Sequence, residues 1–201
     1  MDALDAIASR RSLRQLDSRP VPRALLDRAL ALACLAPAPH HTRPWRYVIV
    51  GSDPREELAR RMGEAWRADL ERDGHDERTI ARLLAKSRRQ IAGAPALVLA
   101  CLTREGLRDW PDERRARHEW AMAQHSLGAG LQNLMLAAHA LGLASYWISA
   151  ALFAPDAARE ALALPDEYVA QAFVVLGYPA SGAAPKPRPA PDVRKLIIER
   201  E

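Results

Sequence analysis

"WAMAQHSLGAGLQNLMLAAHALGLASYWISAALF", residues 120–153, is the longest apolar run in the chain, and it poses a choice between membrane and core. Gln124, His125, Gln132, Asn133 and His139 interrupt it. That is too many polar groups for an isolated helix in lipid, where each would need a partner. The run therefore reads as a buried helix from about Trp120 to Leu141 that packs against another subunit. "LASYWIS" follows it as a turn or strand. No membrane span is expected.

The rest of the chain agrees with a globular reading. Its 201 residues suit one domain over 1–201, and 49% hydrophobic with 27% charged residues excludes a disordered polymer. The N-terminus "MDALDAIASRRS" has an acid at position 2 and no apolar stretch, so no secretory signal is expected. Two cysteines, Cys34 and Cys101, are too few for a disulfide framework, which points to the reducing cytoplasm. The net charge of +4 is almost all arginine, since lysine occurs only at 86, 186 and 195. No nucleic-acid motif accompanies it, so an anionic small ligand is the better use of the charge.

Upstream of the long run lie a short helix over 2–10 with Leu4, Ile7 and Ala8 on one face, and "RALLDRALALACLA" as a second helix behind Pro22. "RYVIVGS" is a strand. "DPREELARRMGEAWRADLERDG" and "DERTIARLLAKSRRQIAGA" are helices, the latter with Asp76 as N-cap. "PALVLACLT" is a strand and "REGLRDWPDERRARHE" a charged loop. Downstream, "APDAAREALAL" is a short helix, "YVAQAFVVLGYP" a strand, and "KLII" in the tail an apolar segment that needs a partner to cover it. Strands separated by helices give an α+β or α/β domain.

Four stretches carry chemistry. "SRRSLRQ" places Arg10, Arg11, Ser12 and Arg14 where three guanidiniums and a hydroxyl can surround a phosphate, or else form a solvated turn. "PKPRP" sets Lys186 and Arg188 on a stiff extended segment. "LAPAPHHTRPWRY" stiffens a loop with Pro37, Pro39 and Pro44 that presents Ala38, His40, His41, Thr42 and Arg43. It lacks the spacing of a zinc site, and neither cysteine has a neighbour that would activate it. "GLASYWIS" offers the small residues Ala144 and Ser145, against which a flat ring could lie. There is no GxGxxG and no P-loop. A helical reading of 76–91 also aligns Arg78, Arg82, Lys86 and Arg89 in a basic stripe, able to attract the anionic arm of a substrate.

In this order the four stretches resemble the nitroreductase family of flavin enzymes. The resemblance rests on Arg10, Arg11, Ser12 and Arg14; on Pro37 through Trp45; on Gln132, Asn133, Leu136 to Ala138, Gly142, Leu143, Ser145 and Trp147; and on Gly177, Tyr178, Pro179, Lys186 and Arg188. It implies a nitroreductase-like α+β fold, a central mixed sheet flanked by helices, in an obligate homodimer with swapped termini that holds FMN at its interface. It also implies that Arg10, Ser12, Lys186 and Arg188 hold the FMN phosphate, that Arg11 belongs to the same cofactor site, and that Arg14 sits at the pyrimidine edge. Pro37, Ala38, Pro39, Ala144 and Ser145 would line the flavin, with backbone near Ser145 reaching N5. Ala38, His41, Arg43 and Ala144 depart from the usual pattern. The variant loop looks most like the nitroreductase-like domain of actinobacterial coenzyme F420:L-glutamate ligase, which implies reduction of the dehydro precursor of coenzyme F420. Under that resemblance Ala38, His40, His41, Thr42, Arg43, Arg78, Arg82 and Lys86 face this deazaflavin. The alternatives are an NAD(P)H-dependent nitro- or quinone reductase of the same fold and a flavin- or F420-binding module without turnover.

Overall fold

The computed structural model describes residues 1–200. Four strands, β1 (Trp45–Val50), β2 (Ala96–Leu102), β3 (Ala144–Ile148) and β4 (Val169–Gly177), form one sheet in the order β1-β2-β4-β3. All three pairings are antiparallel, with Trp45 opposite Leu102, Ala96 opposite Leu176 and Ala144 opposite Gly177. The parallel contact of the expected mixed sheet is confined to a single bridge between Ser12 and Ser145.

The two central strands are buried along almost their whole length, and the period-2 alternation of a strand sends their side chains into two cores. Val98, Ala100, Leu102, Val174 and Leu176 pack under α2 (Arg23–Ala33) and α5 (Glu113–Ala140). Leu97, Leu99, Cys101, Phe173 and Val175 pack with α3 (Arg55–Arg72), α4 (Glu77–Ala92), and the short α6 (Ala150–Phe153) and α7 (Pro155–Ala161). Each fully buried Leu, Val or Phe contributes about 1.5–3 kcal/mol, which makes β2 and β4 the anchor of both layers.

Two further sequence expectations change. The long helix begins at Glu113 and not near Trp120, because Asp112 caps it by accepting the Arg115 N–H at 3.0 Å. Charged residues on the first turns had disguised helix as loop. In α1 (Ala3–Ser9) the face read as apolar is exposed, with Leu4 at 79% and Ile7 at 54%, and Ala6 alone is buried. The tail's apolar residues Leu196, Ile197 and Ile198 are also exposed within the single chain. The Asp76 cap of α4 forms as expected, accepting the Thr79 N–H at 2.8 Å. No helix among the described residues is long and apolar enough to cross a membrane.

Candidate functional site

The segment after α1 is held as a pseudo-strand between β3 and the residues that follow β4. The Leu13 N–H donates to the Ser145 carbonyl (3.2 Å), the Asp17 N–H to Tyr178 (2.9 Å), and the Ala180 N–H to Gln15 (3.1 Å). Gly177 permits this approach: a Cβ there would stand 2.9 Å from Pro95 Cγ and 3.2 Å from Leu16 Cδ1. The tail is tied back over α1, with the Arg11 guanidinium donating to the Lys186 carbonyl (2.8 Å) and Arg188 donating to the Ala8 carbonyl (3.1 Å). Cations from both ends of the chain therefore meet.

Beside them opens a cleft of about 1140 Å³ between the N-terminal segment, the α3–α4 hairpin and the end of β3. Of the residues expected from sequence, Arg11, Ser12, Arg14, Lys86 and Lys186 line it. Arg14 also lies 5.4 Å above the Tyr146 ring. Arg10 and Arg188 stand outside the lining, and Arg10 Nη1 is buried without a hydrogen-bond partner. Burial, then the nearby Arg188 and Arg11, depress the Arg10 pKa. Among the described residues no carboxylate pairs with Arg10, Arg11, Arg14, Lys186 or Arg188. Folding has gathered like charges and left a buried donor empty, which suits an oxyanion such as a phosphate.

Ala144 and Ser145 do not line the cleft. Both are buried in β3, and the Ser145 carbonyl is already taken by Leu13. Trp147, Ile148, Ser149 and Ala150, where the chain leaves the sheet, line it instead. The sequence motif covers this stretch, but only the register against β4 shows where side chains and amides emerge. Trp66 was missed too. It shares a face of α3 with Met62 and Asp69, continued by the C-cap Asp73, a spacing of three and four that the helix pattern already contained. Arg78 and Arg82 lie on α4 outside the lining, so of the basic stripe only Lys86 enters the cleft.

The loop of Pro37 to Arg43 is elsewhere. None of its residues lines its own chain's cleft; it turns through a short 3₁₀ segment at Pro39–His41, where it packs against α5. His40, His41 and Arg43 all have positive φ, at 53°, 57° and 48°. Each such non-glycine residue costs on the order of 1 kcal/mol or more. Flanking it, the buried Glu119 accepts the Trp110 indole N–H at 3.0 Å and the Arg108 N–H at 3.3 Å. These bonds, Trp110 first, hold its carboxyl below the usual range, and His40 and Arg108 add to the effect. Arg108 and Arg115 lie over the Trp110 ring, at 4.9 and 4.7 Å, and Arg104 lies 5.2 Å over Trp120. Sequence reading passed over this cluster because the segment looked like solvated loop. Of the two cysteines, Cys34 is exposed, and burial pushes the Cys101 thiol up to about 12.

Comparison with known proteins fits this arrangement. Residues 7–178 match the model of the Nitroreductase family. A protein named NADH dehydrogenase from Thermus thermophilus is 32% identical over 203 residues, covering 94% of this chain and 92% of that protein. A nitroreductase structure with bound FMN from Bacteroides fragilis superposes with a TM-score of 0.73 at 25% identity, covering 99% of this chain and all of the other. A BluB-like flavoprotein structure from Clostridium difficile superposes with a TM-score of 0.81 at 22% identity over the full length of both chains. The chain belongs to the nitroreductase family.

Proposed function

We propose that this nitroreductase-family chain binds FMN in the cleft, as a homodimer, and passes a hydride from a reduced nicotinamide dinucleotide to a flat organic acceptor. One observation carries the reading: guanidiniums from both chain ends converge beside the cleft, with the buried Arg10 Nη1 lacking any partner. A phosphate would meet that need. The cleft volume of about 1140 Å³ exceeds the usual range of about 300–1,000 Å³ for small-molecule sites, leaving room for a flavin and a second ring above it.

In this reading Arg10, Arg11, Ser12, Lys186 and Arg188 hold the phosphate. Arg14 faces the pyrimidine edge, where a cation favours the negative charge of the reduced ring. Amides of the 147–150 segment, in place of Ala144 and Ser145, lie along the central ring. FMN supplies the hydride chemistry, and the protein supplies position and charge. Trp66, Trp147 and Phe153 give the acceptor an apolar wall, and Lys86 gives it a cation. The whole of 1–201 acts as one domain. The exposed α1 face and the apolar tail are the surfaces a second copy covers, with the tail crossing to the partner. Pro37, Ala38, Pro39 and the His40–Arg43 turn then serve the partner's cleft. Two thiols outside any disulfide agree with a cytoplasmic home.

The specific acceptor implied by the loop, the dehydro precursor of F420, has narrower support: Lys86 in the cleft and an exposed His40–Arg43 turn suit an anionic deazaflavin. The relatives reported above are named for flavin or for nicotinamide chemistry. Purification with a visible spectrum tests the central reading, and a yellow dimer that NADH bleaches is expected. A colourless monomer that takes up no FMN would overturn it. Reoxidation of the bleached protein by the dehydro compound, compared with a nitroarene, separates the two acceptors.

A further inference from the structure

We infer that Arg104 and Arg108, lying over Trp120 and Trp110 beside the His40–His41 turn, form a second anion site that receives the diphosphate arm of the dinucleotide hydride donor. The inference rests on the proposed function, which sets this turn over the cleft of the partner copy.

Both arginines lie on the segment after β2, which is set beside the turn because β1 begins where β2 ends. Trp45 pairs with Leu102, the Thr103 N–H donates to the Pro44 carbonyl at 2.9 Å, and Gly106 packs against Thr42. The acids of the same region are mostly committed. Glu105 binds Arg46, Asp112 binds Arg115, Glu113 lies 3.8 Å from Arg117, and Glu119 holds Trp110. Among the described residues Asp109 is the only carboxylate there with neither an ion pair nor a side-chain hydrogen bond, against the unpaired guanidiniums of Arg104, Arg108 and Arg114.

The guanidiniums of Arg104 and Arg108 are also held. Arg108 lies 4.9 Å over an indole that Glu119 fixes in place, and Arg104 lies 5.2 Å over Trp120, so cation–π contact restrains both guanidiniums while they stay exposed to a ligand. A fork of this kind suits paired phosphate oxygens better than a single point charge. The left-handed backbone at His40, His41 and Arg43 adds a cost that packing alone does not require. In the proposed function the FMN phosphate has its own cations at the junction of the two chain ends, so this second cluster is free for a second phosphate-bearing ligand.

The test compares two hydride donors on the FMN-loaded dimer: NADH, and 1-benzyl-1,4-dihydronicotinamide, which has the same ring without phosphates. In each case a hydride would leave C4 of the donor ring, which becomes a pyridinium, and bound FMN would relay its two electrons and proton, with a second proton from solvent, to a nitroarene, giving the nitroso compound and water. Arg104→Gln with Arg108→Gln is expected to raise KM for NADH by about tenfold or more. KM for the benzyl donor, FMN content and Tm should stay unchanged. The Kd of NAD⁺ by calorimetry should rise by the same factor, and Arg104→Lys with Arg108→Lys should recover part of the affinity. Unchanged NADH kinetics, or an equal effect on both donors, overturns the inference while leaving the proposed function standing. If the wild type accepts hydride from neither donor, the proposed function fails, and the NAD⁺ titration still decides whether this anion site exists.

Discussion

Arginine does opposite things on α3 and at the junction of the two chain ends. On α3, Arg60 binds Glu57 and Glu64, Arg61 binds Glu57 and Glu160, and Arg67 binds Glu71 and Glu77. Two guanidiniums, Arg60 first and then Arg61, pull the Glu57 carboxyl down to about 2. At the junction, Arg11 and Arg188 donate only to carbonyls, and one Arg10 nitrogen donates to nothing. The first set is complete without a ligand and the second is not. What marks a binding site is therefore an unmet electrostatic need, which the density of arginine in a sequence does not reveal.

This contrast can be broken experimentally, and the sharpest break is at Arg10. Losing one charge-assisted phosphate contact is worth roughly 1.5–3 kcal/mol, so Arg10→Ala should weaken FMN binding about 10- to 150-fold by flavin fluorescence titration. Unaltered affinity would reduce the junction to a solvated turn. Next comes Gly177→Ala, which forces a methyl against Pro95 and Leu16. Overpacking of this sort costs about 1–3 kcal/mol, visible as a lower Tm, and the displaced Leu16 segment should loosen FMN as well. A smaller effect separates residues within the basic stripe: Lys86→Ala should raise KM for an anionic acceptor several-fold, whereas Arg82→Ala, outside the cleft, should not.

The smallest effects belong to α3. Its pairs are exposed and screened, so Arg60→Ala should leave FMN affinity alone and shift Tm by no more than about 2 °C. Because the folded Glu57 pKa is depressed, its contribution is present above the ordinary glutamate range and is lost as pH falls toward about 2. Glu57→Gln should flatten that part of the acid unfolding curve. A large effect at neutral pH would mean that the paired arginines are not self-sufficient.

The contrast also explains which parts of the molecule were legible in the sequence. β2 and β4 were readable because their apolar runs, interrupted in β4 by Gln171, leave few alternatives, and Pro22, Gly74 and Asp76 punctuate their helices through local chemistry. The first turns of α5 were not, since "DERRARHE" has no apolar period and its helix rests on the Asp112 cap and the long core behind it. At the site, Arg11, Ser12, Arg14 and Lys186 could be named from motif alone. The shift from Ser145 to residues 147–150 depends on strand register, a tertiary quantity. The Trp110–Glu119 clasp joins an irregular segment to a helix nine residues on, and no periodicity signals such a pair.

The bonds that tie the tail to α1 have a consequence for the order of events in the cell. Arg11 leaves the ribosome 175 residues before Lys186. The sheet that aligns them needs Ala96 to find Leu176, a long-range pairing that forms slowly. A nascent chain thus carries half an anion cradle with nothing to close it. An anion that needs both halves would be held only by a chain made through Arg188 and correctly threaded.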